Sequence, residues 1–93
     1  MRYRNHTGTR TIAVRLHHAM DAAIGLAPED ISNVEMLIQV GEWLLAFETL
    51  CTQVYEWEIS LPAGTLRDLE GLGSALGSRA ELTEHLREDP TNG

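Results

Sequence analysis

Lysine is absent from this chain; all seven of its basic residues are arginine. There is one cysteine, Cys51, which excludes an intrachain disulfide and any multi-cysteine zinc site. Aromatic residues are scarce, at 5% of the chain. No uncharged run approaches the ~18 apolar residues of a membrane span. Asp21 and the pair His17 and His18 stand where a signal peptide needs an apolar stretch, so the chain is expected in the cytoplasm. What is present suits a folded protein. Apolar residues make up 43% of the 93 positions and charged ones 23%, the balance of a globular domain and not of a disordered chain. A single domain of this size buries only about 60–65% of its unfolded surface, so the core is small.

Charge is unevenly distributed. Residues 1–20 hold four arginines and no acid, whereas residues 21–93 hold three arginines against fourteen acids. Between Arg15 and Arg67 there is no basic side chain, while Asp21, Glu29, Asp30, Glu35, Glu42, Glu48, Glu56 and Glu58 all fall there. A nucleic-acid binder needs the opposite sign over most of its surface. An acidic middle suits a basic protein partner, whose approach it accelerates and orients. It also serves plain solubility.

Apolar periodicity predicts an all-α fold, a single domain of four to five helices near residues 9–24, 29–40, 42–57, 62–76 and 79–87. A loose basic arm at 1–8 and a disordered tail at 89–93 flank it. In the first helix Ile12, Leu16, Ala19, Ala23 and Leu26 share a face, with Met20 and Ala27 beside them. Gly25 is placed to end that helix and Pro28 to open the next, with Glu29 and Asp30 complementing its dipole. Ile31, Val34 and Ile38 continue the period. Gly41 interrupts it, and the pattern does not say whether the chain breaks or bends there. The segment from Glu42 to Trp57 is the strongest helix. Its wide apolar arc of Trp43, Leu44, Phe47, Leu50, Cys51, Val54 and Trp57 places it at the centre of a bundle. Leu66, Leu69, Leu72 and Leu76 mark a fourth helix, in which Gly64, Gly71 and Gly73 lower the propensity. Ser78 and Glu81 have capping-box spacing ahead of Leu82 and Leu86. Alternation from Tyr55 to Leu61 and at Ile12, Val14 and Leu16 leaves an α+β fold with a short hairpin as the alternative.

Catalytic signatures are wanting. His17, His18 and Asp21 have helical spacing for two metal ligands but no third protein ligand, and read as a solvated face. Cys51, bracketed by Phe47, Leu50 and Val54, reads as core and not as a nucleophile. Glu58, between Trp57 and Ile59, is the carboxylate nearest an apolar setting, but it lies at a helix end. No catalytic residue, metal or cofactor is expected. One residue departs from simple patterning: Leu45 falls in the polar arc of the central helix, beside Glu42, Glu48, Thr49 and Thr52, with Tyr55 at its edge. A leucine ringed by acids is the pattern of an interface anchor with a polar rim, although single exposed leucines are also common. Candidate partner-binding residues are Glu42, Leu45, Glu48, Thr52, Tyr55, Glu56 and Glu58.

The densest stretch, GEWLLAFETLCTQVYEWEIS from Gly41 to Ser60, with Ile31 and Ile38 before it and Leu69, Glu70, Leu72 and Gly73 after it, resembles the MafI-type immunity proteins. These are small bacterial proteins that neutralise the toxic C-terminal domains of polymorphic toxins. The likeness covers roughly Pro28 to Gly77. It implies a mostly helical inhibitor without catalysis, whose expected partner is a basic toxin domain, a nuclease with a cleft for phosphate. Toward that cleft Glu42, Glu48, Glu56 and Glu58 could act as phosphate mimics. Neither nucleic acid nor membrane is an expected direct partner, and the expected state is a monomer or weak homodimer. A different class remains open: a helical regulatory or assembly subunit, pairing through the leucine-rich segment around Leu66 to Leu76.

Overall fold

The computed structural model describes residues 2–87, with side chains placed from Thr11 to Leu86. Among these residues there are five helices and no strand: α1 Arg2–Ala22, α2 Pro28–Gln39, α3 Trp43–Glu56, α4 Ala63–Leu76 and α5 Glu81–Arg87. The all-α reading holds. The hairpin alternative does not, because Tyr55 to Leu61 is the end of a helix followed by a turn. The expected tail at 89–93 lies outside the described residues.

α3 touches all four other helices. Its buried residues are Ala46, Phe47, Leu50, Cys51 and Val54. Around them pack Leu16, Ala19 and Met20 of α1, Val34 and Ile38 of α2, and Leu69 and Leu72 of α4. The covered arc is narrower than the apolar arc of the sequence. Leu44 and Trp57, expected within it, are exposed. Leu44 sits in the first turn of α3, at the edge of what its neighbours cover. Trp57 is the residue at which the chain leaves the helix, so helical spacing no longer points it inward. Ala46, too small to stand out in the pattern, is fully buried.

Three helix ends share one hydrogen-bond geometry, in which an amide reaches back five residues to close the last turn. Glu42 N–H donates to the Leu37 carbonyl at 2.9 Å, Ile59 to Val54 at 3.0 Å and Ser78 to Gly73 at 2.8 Å. That geometry places the preceding residue at positive φ. Gly41 and Gly77 occupy two of these positions, at φ +81 in each case. Gly41 therefore breaks the chain into two helices and does not merely bend it. At the end of α3 the position belongs to Glu58, the one non-glycine with positive φ among the described residues (φ +53).

Two expectations near the termini need correction. The stretch 1–8, expected to be loose, is helical backbone from Arg2 onward. Leu16, Ala19 and Met20 pin the second half of α1 to the bundle, and extending a formed helix requires far less than starting one. The capping box at Ser78 and Glu81 does not form. Ser78 closes α4 through its backbone, its hydroxyl has no hydrogen-bond partner, and α5 starts only at Glu81. Thr83, 7% exposed, instead donates its hydroxyl to the Ala80 carbonyl at 3.2 Å.

Candidate functional site

The outward face of α3 gathers the residues singled out from sequence. Leu45, Glu48, Thr52 and Glu56 recur every three to four residues and form one stripe along the helix. Leu45 is 48% exposed, Thr52 and Glu56 are exposed, and Glu48 is half-buried. Glu42 stands exposed as the N-terminal cap residue of α3, without a side-chain capping bond. The stripe is bordered by α5 on one side, where the Tyr55 ring meets His85 with centroids 5.4 Å apart. At its far end Trp57 ties α3 to α2: the indole N–H donates to Asp30 Oδ2 at 2.8 Å.

The seven candidates are therefore not one patch. Leu45, Glu48, Thr52 and Glu56 lie together. Tyr55 is engaged by α5, though it remains largely exposed, and Glu58 lies past the helix end in a left-handed conformation. Around the start of the stripe Met36, Val40 and Leu44 are also exposed, so the corner between α2 and α3 carries four large apolar side chains in water. Of these four the sequence pattern marks only Leu45 as exposed. Val40 follows the last residue of α2, where helical spacing ends, and Leu44 looked like core.

The groups considered for chemistry fall elsewhere. Cys51 is 1% exposed. Burial, and then the charge of Glu48, push its thiol up from 9.0 to about 12, so it stays protonated and unreactive at neutral pH. His17 is half-buried, while His18 and Asp21 are exposed, and among the described residues no three potential ligands come together to hold a metal ion. Arg15 is tied to α4, its guanidinium 2.8 Å from Asp68 Oδ1 and donating also to the Asp68 carbonyl at 3.1 Å. One of the arginines of the basic segment thus serves the fold. A cleft of about 440 Å³ opens between Phe47, Gly73, Ser74, Ser78 and Thr83, which no motif foretold. Of the leucines considered for self-pairing, Leu69 and Leu72 are buried in the core, and Leu66 and Leu76 are half-buried. No described helix is long and apolar enough to cross a membrane.

Fold and surface define a small helical bundle with an acidic, partly apolar outer face. Compared with family models, with curated proteins and with solved structures, the chain matches none. The likeness to MafI-type proteins rests on the residues quoted for it.

Proposed function

We propose that this chain is an immunity protein, which binds a basic toxin domain in the cytoplasm and blocks it by covering its active site or a surface beside it. The observation that carries the reading is the position of Leu45. Four helices pack on α3, yet this leucine stays half in water, with Glu42 and Glu48 one turn to either side. Burying the remaining exposed half of such a side chain against a partner yields about 1 kcal/mol from transfer alone, and the acids around it select a partner rich in arginine and lysine. Glu42, Glu48 and Glu56 present carboxylates where a nuclease would receive phosphates. Blocking of this kind requires affinity, fast association and a rigid face, and no bond chemistry. A nuclease, with its electropositive cleft, is the toxin class that fits the charge.

The test is co-expression with the toxin domain encoded beside this chain. Restored growth together with a stoichiometric complex supports the reading. Continued toxicity with no complex between the purified proteins contradicts it.

A further inference from the structure

Past the C-terminal end of the Leu45 stripe two further large apolar side chains, Ile24 and Trp57, stand exposed. Leu45 and Trp57 are twelve residues apart, about 18 Å along a helix. Ile24, in the turn after α1, is 81% exposed, and Trp57 is 56% exposed. Their turns abut, since a Cβ on Gly25 would lie 3.7 Å from Ile59 Cγ1. Neither residue is needed in water for the fold. A turn residue so exposed can be polar without loss, and an exposed tryptophan gives up contact area that a buried one would use. The Trp57 ring is also held in place, through its bond to Asp30. A large aromatic side chain oriented in advance loses little freedom on binding, and tryptophan is enriched among the residues that dominate interfaces.

We propose that this end of the bundle docks a protein segment in which an apolar side chain lies next to an arginine. The apolar group would cover Ile24, and the guanidinium would lie on the Trp57 ring. The charge around the surface chooses this occupant. Along the chain Asp21, Glu29, Asp30 and Glu58 flank the two turns, with no arginine or lysine between residues 16 and 66. Arg15, the nearest arginine before them in the chain, is bound to Asp68. A cation over the indole gains from the ring and from these carboxylates together. A second copy of this chain fits poorly, because it would set the same acids against each other at short range.

The inference does not depend on the toxin, and its test uses none. The probe is a blocked hexapeptide of alternating leucine and arginine, titrated into the full chain and followed by the Trp57 indole and backbone amide signals in NMR spectra. Saturable changes centred on Ile24 and Trp57 are expected. Ile24→Ser, at a position too exposed to affect folding, should weaken binding at least about fivefold. Val14→Ser, at a half-exposed site elsewhere on α1, should leave it unchanged. Trp57→Leu keeps apolar area but removes the ring, and should weaken the arginine peptide more than one carrying glutamine instead. Three results would each overturn the proposal: equal binding by Ile24→Ser, equal binding of the glutamine peptide, or changes centred on Leu45. Concentration-dependent self-association abolished by Ile24→Ser would also overturn it, by giving the surface to a second copy.

Discussion

The ring of Phe47 stands in the space that a side chain on Gly73 would need: a Cβ built there falls 2.7 Å from Phe47 Cζ. Glycine in mid-helix is normally a weakness. Here it lets α4 lie close to the largest fully buried side chain of the core. Gly73→Ala gains up to about 1 kcal/mol of helix propensity but forces the aromatic ring to move, and overpacking of this kind costs about 1–3 kcal/mol. The variant should be less stable than the parent in denaturant titrations. Gly71→Ala, exposed and with only ordinary contact to Arg15, should be more stable by about 0.5–1 kcal/mol. Stabilisation by both substitutions would refute the close approach.

Glu58 stands where the other helix ends of the same geometry use glycine. A side chain in the left-handed region costs about 1 kcal/mol or more relative to glycine. Glu58→Gly should therefore raise the unfolding midpoint, and Glu58→Val, branched at Cβ, should lower it. If the carboxylate serves the partner, the glycine variant gains stability and loses affinity together, a combination that a purely structural role does not produce.

Cys51 makes stability depend on alkaline pH. Its thiol, raised to about 12 by burial and then by Glu48, holds its proton in the folded chain after an exposed thiol has lost its own near 9. Above that value the unfolded state binds fewer protons than the folded one, so stability falls as pH rises. The contribution is complete below about pH 8.5 and disappears progressively toward pH 12, with a slope of at most about 1.4 kcal/mol per pH unit. Cys51→Ala removes this slope. Its stability deficit against the parent, measured by denaturant unfolding, should shrink steadily between pH 8 and pH 10.5. A deficit constant over that range would show that the thiol ionises as easily in the folded chain as in the unfolded one.

If the chain binds a basic toxin domain, as proposed, their association should be steered by charge. Screening shortens to about 8 Å at 0.15 M salt, so the association rate should fall markedly between low and physiological ionic strength. The dissociation rate, set by short-range contacts, should change much less. Glu42→Gln and Glu48→Gln should act mainly on association. Stopped-flow measurements over a salt series separate the two rates.

Much of the bundle was legible because four of its helices carry apolar residues at regular spacing and end at turn residues. Val34, Ile38, Phe47, Leu50, Val54, Leu69 and Leu72 are buried as the period requires. The illegible parts are those where the period stops or where contacts join distant residues. Trp57 extends the apolar arc of α3 on paper, but the helix has ended and the indole turns to Asp30, twenty-seven positions earlier. Ser78 has the spacing of a cap yet is used by the preceding helix. Gly73 looked like a weak point because no local pattern reveals the Phe47 ring against it. In the candidate site, the exposure of Leu45 followed from its place on the wheel. The capture of Tyr55 by His85 did not, because the sequence does not say against which face the short α5 settles.

The most direct measurement is stability and toxin affinity on one purified variant, Leu45→Ala. The leucine is half exposed, so the account predicts a stability loss under about 1 kcal/mol. It predicts at the same time a loss of binding free energy of about 2 kcal/mol or more, because an anchor at the centre of an interface carries that much. A marked fall in stability with unchanged affinity per folded molecule would contradict it. Leu45 would then serve the fold, and the interface would lie off the α3 stripe, on the outer face of α2 around Glu35 and Gln39.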